Sequence, residues 1–162
     1  PFIDVISSPF LSIDRDELWF GLARVLDAIP VTRGLAIGGD ISVAPLCDLP
    51  ISVLMVNSSD HGYRIVEAAP HIHAFMQRGG MLACGCVPVA PHATRATQAL
   101  ATMQTLIADL QQAGIAHTML REHLYVMPVS SLGQTSIEIA EEVIAVTCDV
   151  AHQLNQFLFS QP

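Results

Sequence analysis

The sequence predicts an α/β fold in which short buried strands alternate with amphipathic helices around a parallel sheet. Three observations carry this. Apolar residues come in bursts such as 51–56, bounded by Asp, Asn, Pro and Gly, as in strands buried on both faces. Between the bursts lie stretches whose apolar residues recur at helical spacing. The two kinds of segment alternate without a linker or low-complexity stretch, which is the pattern of parallel strands joined by helical crossovers.

Residues 2–7 read as a first strand entering the turn Ser8-Pro9. Asp14 then caps a helix, with Glu17 three residues on completing a capping box. Leu18, Leu22, Val25, Leu26 and Ile29 form its apolar face, and Pro30 ends the run. Residues 34–37 make a short second strand running into Gly38-Gly39-Asp40, and a connection through Pro45 and Pro50 leads to a third strand at 51–56. The spacing predicts a helix over 60–78, kinked or restarted at Pro70 and stopped by Gly79-Gly80. A fourth strand covers 81–87 and is closed by Pro88. The helix predicted over 94–113 puts Leu100, Met103, Ile107 and Leu110 on one face, with Gly114 just past its end. A fifth strand covers 124–129. Thr135 and Glu138 open a last helix, striped with Ile139, Val143, Val146, Val150, Leu154 and Phe157. The whole of 1–162 is expected to form one domain. A doubly wound open sheet and a closed barrel both satisfy this alternation, and both place ligands at the carboxyl ends of the strands.

Composition narrows the function classes. Hydrophobic residues make up 51% of the chain and charged residues 14%, so either a membrane or a sheet buried on both faces must account for the excess. No apolar run approaches the roughly 20 residues of a spanning helix, which favours the buried sheet. Net charge is −8 with only 7 Lys plus Arg, and the missing cationic cluster argues against nucleic acid. There is no basic, then apolar, then small-residue leader pattern. Cys47, Cys84, Cys86 and Cys148 are therefore expected to be reduced thiols of a cytoplasmic protein.

The expected strand ends are polar, small and mostly uncharged: Gly38-Gly39-Asp40, Asn57-Ser58-Ser59-Asp60 and Ser130-Ser131-Leu132-Gly133 are the main ones. Asp40 and Asp60 are their only carboxylates, able to share acid and base duties or to cap helices. Asp60 reads as a cap. Cys84 and Cys86 lie two apart on a strand, hence on one face, where two thiolates suit a soft metal given further ligands; two small core residues are the plainer reading. His71 and His73, two apart on a helix, face different ways and make no metal pair. The glycines at 34, 38 and 39 lack the Gly-Lys-Ser or Gly-Lys-Thr of a phosphate loop, and Ser8, Ser130 and Ser131 lack a Gly-x-Ser-x-Gly elbow. His117 and His123 are candidate bases with no sequence link to a nucleophile.

Four segments carry a family likeness, in order: Arg33-Gly34-Leu35-Ala36-Ile37-Gly38-Gly39-Asp40; the strand from Ile51 to Asp60; Arg78-Gly79-Gly80 followed by Gly85-x-Val87-Pro88; and Met127-Pro128-Val129-Ser130-Ser131-Leu132-Gly133. They resemble the C-terminal half of the cobalamin-independent methionine synthase and uroporphyrinogen decarboxylase superfamily, over nearly the whole chain. The resemblance implies a (β/α)8 barrel of the TIM type. A complete one takes about 250 residues, so the chain holds about five β/α units of it. It also implies methyl transfer to a thiol held as a thiolate by zinc. The family's zinc positions, a His-x-Cys pair and a later Cys, correspond here to Ala36, Gly38 and Ser130, none of which ligates zinc. The family's Asp-Glu-Pro stands here as Ser7-Ser8-Pro9, and basic residues for a polyacidic porphyrin are not evident.

The expectation is thus a degenerate, metal-free methionine-synthase-like protein. It binds a small polar ligand through Asp40, Asn57, Asp60, Ser130 and Ser131, with catalysis absent or altered. The first alternative is an active zinc-dependent thiol methyltransferase of the homocysteine type, with ligands relocated to Cys84 and Cys86 plus a histidine. The second is a non-catalytic assembly module, since a partial barrel leaves sheet edges open. A homo-oligomer or the remainder of a longer chain would cover them; neither nucleic acid nor membrane is expected as a partner.

Overall fold

A computed structural model describes residues 15–90 and 95–160. The strand expected at 2–7, its Ser8-Pro9 turn and the Asp14 cap lie outside the described residues. The described chain runs α1 (Arg15–Asp27), β1 (Gly34–Ile37), α2 (Ala44–Cys47), β2 (Val53–Asn57), α3 (Ser58–Glu67), α4 (Ala69–Gln77), β3 (Met81–Val87), α5 (Arg95–Gln112), α6 (His117–His123), β4 (Leu124–Pro128) and α7 (Ile137–Ser160). Among the described residues no helix is long and apolar enough to cross a membrane.

The four strands pair in the order β1-β2-β3-β4, all parallel. Each strand thus lies beside the one before it in sequence, with no reversal of order. The helices α3, α5 and α7 pack side by side, α3 on β2 and β3, α5 on β3, and α7 on β3 and β4. The short helices α2, α4 and α6 pack against one another in turn, α4 and α6 running into the starts of β3 and β4.

Alternation along the strands decides which side the helices cover. Leu54, Val56, Leu82, Cys84 and Leu124 are buried and join the core with Ile65, Met103, Ile107 and Val143 from α3, α5 and α7. The other face of the sheet carries the register row Ala36, Met55, Ala83 and Tyr125. There Met55 is half-buried and Tyr125 keeps 50% of its surface. The central strand β3 is the most deeply enclosed, which fits its run of small residues, Ala83-Cys84-Gly85-Cys86.

Several elements differ from expectation for identifiable reasons. The strand expected at 51–56 starts two residues later and ends one later, because Ile51 and Ser52 belong to the turn in which the Ser52 and Val53 amides donate to the Arg33 carbonyl. The helix expected at 60–78 is two, broken at Ala68 just ahead of Pro70, and it starts at Ser58. Asn57, not Asp60, is its cap. The last strand stops at Pro128, one residue short, and α7 begins at Ile137. The four-residue α2 and the seven-residue α6 were not foreseen, being too short to show periodicity.

Two glycines are set by contact. At Gly80 an added Cβ would lie 2.6 Å from the Phe75 ring, which packs directly on the backbone entering β3. At Gly85 it would meet Val129 Cα at 3.1 Å and Asn57 Cα at 3.3 Å, where the ends of β2, β3 and β4 converge. Backbone on two sides leaves no room to give. Gly85→Ala is expected to destabilise the fold by about 1–3 kcal/mol, seen in urea unfolding as a lower midpoint at unchanged slope.

Candidate functional site

The parallel sheet brings the predicted residues to one end, the carboxyl ends of the strands, but local bonds already occupy most of them. Asn57 is both the last residue of β2 and the cap of α3. Its Oδ1 accepts from the amides of Ser59 at 3.0 Å and Asp60 at 3.3 Å, while Nδ2 donates to Asp60 Oδ2 at 2.9 Å. Ser58 and Ser59 tie the same turn to β3. Ser58 Oγ donates to the Gly85 carbonyl at 3.0 Å, and Ser59 Oγ donates to the Cys86 carbonyl at 3.4 Å. The strand therefore turns into the helix with no residue between them.

Asp40, just past β1, is held by two residues that sequence reasoning passed over. Arg64 donates from Nε to its Oδ1 at 2.7 Å and from a terminal nitrogen to Oδ2 at 3.3 Å; the Tyr63 hydroxyl donates to Oδ1 at 2.7 Å. Arg64 also bridges to Glu67 at 3.0 Å. These bonds, Arg64's first and Tyr63's second, bring the Asp40 carboxyl down to about 2. Accepting from Tyr63 in turn, Asp40 pushes the phenol above its ordinary value. Ser130 and Ser131 lie exposed in the loop after β4, where Ser131 Oγ accepts from the Gly133 amide at 3.2 Å.

Cys84 and Cys86 are both buried, in the core between sheet and helices. Burial pushes Cys84 strongly up and Cys86 to about 11; Cys47, also buried, rises to about 12. Each is thus a neutral thiol packed as a small apolar group. Among the described residues no three His, Cys, Asp or Glu side chains are grouped so as to hold a metal. Neither the family's zinc positions nor the two β3 thiols fit that ion here. His117 donates from Nε2 to the Leu158 carbonyl, while its Nδ1 accepts from Gln111. His123 donates from Nδ1 to the Gly80 carbonyl at 3.0 Å. Both belong to α6, at the amino ends of the strands, away from the candidate site. His71 lies 3.8 Å from Asp48.

Of the predicted residues, Asp60 lines a concavity: a groove of about 470 Å3 between α3 and α5. Ser59 and Tyr63 share the α3 wall, and Gln98, Thr102, Thr105 and Asp109 line the α5 wall. The side chains of Gln98, Thr102 and Asp109 make no hydrogen bond or ion pair to any described residue. The spacing of the four α5 residues marks one helix face. That stripe was readable in the sequence, but nothing there showed that α3 lies opposite it.

Compared with protein-family models, with curated proteins and with solved structures, the chain matches none.

Two measurements check this geometry. In the native protein a chromogenic disulfide reagent is expected to label Cys148 quickly and Cys47, Cys84 and Cys86 only as fast as the chain opens, because Cys148 alone of the four is exposed. The second is an acid titration. Asp40 titrates lower in the folded chain, about 2, than its ordinary 3.8, so its stabilisation is present above that ordinary value and is lost as pH falls through about 2. Asp40→Asn is expected to be less stable than the parent at neutral pH, the difference shrinking between about pH 4 and pH 2 in denaturant titrations.

Proposed function

We propose that the chain is a section of a (β/α)8 barrel, a degenerate relative of the methionine-synthase-like proteins, that binds a small polar molecule in the groove opening at Asp60. The strand order supports the barrel-section reading. A sheet whose strands follow one another in sequence order, with α3, α5 and α7 in one layer, is how a barrel is wound; a doubly wound sheet reverses its order at a switch point.

The observation that carries the binding reading is the set of polar groups in the groove that no described protein group satisfies. An amide, a hydroxyl and a carboxylate on α5 face the Asp60 carboxylate and the Ser59 hydroxyl across a space within the usual range for small-molecule sites, roughly 300–1,000 Å3. With two carboxylates and no cation among the lining residues, the groove favours a ligand that donates hydrogen bonds, such as a polyol or an amine. Asp40 and Asn57 support the site from behind, one bonded to Arg64 and Tyr63 and the other holding the α3 cap. This reading assigns the chain no catalytic step.

A thermal-shift and calorimetric screen of free amino acids, simple amines and polyols tests it. At least one class is expected to raise the melting temperature. Thr102→Val with Asp109→Asn is expected to weaken that compound about tenfold or more, at about 0.5–1.5 kcal/mol per lost hydrogen bond, while leaving unliganded stability nearly unchanged. A screen without a responder, or binding unchanged in the double variant, would overturn the assignment.

A further inference from the structure

We propose that the groove between α3 and α5 takes a short aliphatic diamine, with one ammonium group at the Asp60 carboxylate and the other at that of Asp109. The inference rests on the ligand-groove reading and names the class of molecule held there.

The placement of the two carboxylates follows from the topology. Both helices leave the carboxyl ends of parallel strands and return over the same face of the sheet, so they run side by side in one direction. Ser58 Oγ lies 3.7 Å from Met103 Sδ, which sets the first residue of α3 level with the middle of α5. Counted from that contact, Asp60 comes two residues further along α3 and Asp109 six residues further along α5. The difference of four residues is about 6 Å of helix rise. Packed helix axes stand about 8–10 Å apart, so the carboxylates face each other diagonally, on the order of 10 Å apart. No single ammonium spans that gap. Two do, each roughly 2.8 Å from its carboxylate, with on the order of 5 Å of chain between them.

The lining between the carboxylates suits such a chain. Val66 on α3, with Ala101 and Leu106 on α5, offers apolar surface to the methylene groups. The Thr102 hydroxyl, on the same wall as Asp109, can accept from an ammonium proton that the carboxylate leaves over.

Charge selects the end groups. The lining holds no Lys, Arg or His. Among the described residues neither Asp60 nor Asp109 has an ion-pair partner, and Arg64, on the same helix as Asp60, is spent on Asp40 and Glu67. The net charge of −8 draws cations toward the chain and repels anions. A neutral polyol gains nothing from either carboxylate's charge, and a monoamine gains from one only. A calcium-like ion wants six or more oxygens within about 2.6 Å, whereas among the described residues no three acidic, Cys or His side chains are grouped to hold a metal.

Calorimetric titration of the full chain with putrescine, butylamine and butanediol tests this, because the three share one carbon skeleton and differ only in their end groups. Putrescine is expected to bind about tenfold or more tightly than butylamine, and butanediol not measurably. Asp60→Asn and Asp109→Asn should each bring putrescine down to the affinity of butylamine. The unliganded melting temperature should stay near the parent's, since the amide oxygen introduced at position 60 can still accept from Asn57. Putrescine bound no more tightly than butylamine would overturn the diamine assignment. So would putrescine binding that neither substitution weakens, which means general attraction to an acidic surface. Butanediol binding as tightly as putrescine overturns it as well, while leaving the groove reading in place. The groove reading fails on a different result, when amines, polyols and free amino acids alike leave the melting temperature unmoved, and the diamine falls with it.

Discussion

The parallel pairing of β2, β3 and β4 is the constraint on which the rest of the structure depends. A parallel neighbour can be reached only by a crossover long enough to return the chain to the same end of the sheet. The chain does this with a helix each time, and the same handedness at each step lays α3, α5 and α7 over one face. The core then follows. Leu54, Val56, Leu82 and Cys84 are enclosed because helices lie above them, and Met55 and Tyr125 are not because no helix of that layer reaches their side. The close approach at Gly85 belongs to the same constraint: three strands running the same way bring their ends together, and the middle one has room only for a hydrogen.

Much of this was legible in the residues. The strands at 34–37 and 81–87 stand where the apolar bursts put them, and α5 and α7 where the helical stripes did, because long amphipathic periods are strong signals. What was not legible depended on neighbours distant in sequence. The start of β2 was misplaced because Ile51 is as apolar as a strand residue, yet its backbone turns to meet Leu49. Cys84 and Cys86 share a burial environment, as their spacing suggested, but period alone does not say that the environment is the core. Asp40 follows β1, Asn57 ends β2 and Asp60 lies in the first turn of α3. The partners of Asp40, Arg64 and Tyr63, lie on a helix that the sequence showed only as a helix, with no sign of what its side chains meet.

The site illustrates how a strand end can be full of polar atoms and still offer little to a ligand. Asn57 uses its oxygen on two helix amides and its nitrogen on Asp60, so its capacity goes to holding α3 on β2. Asp40 accepts from Arg64 and Tyr63. Side chains whose hydrogen bonds are spent within the protein have less left to offer a ligand. Side chains without such partners line the groove one helix turn further out, where α3 and α5 face each other.

The join between β2 and α3 also bears on how this end of the molecule can change over evolutionary time. Asn57 closes the strand and caps the helix at once, and the two serines after it are bonded to β3, so no loop exists there in which residues can be gained or lost. An insertion at this point would break a cap and a strand end together. The segment 129–136, between β4 and α7, is different: it is largely exposed, and Ser131 bonds only within its own turn. Insertions are tolerated where little backbone is committed to other elements. At the carboxyl ends an insertion thus disturbs less on the β4 side than on the β2 side, where strand, cap and helix share the same residues.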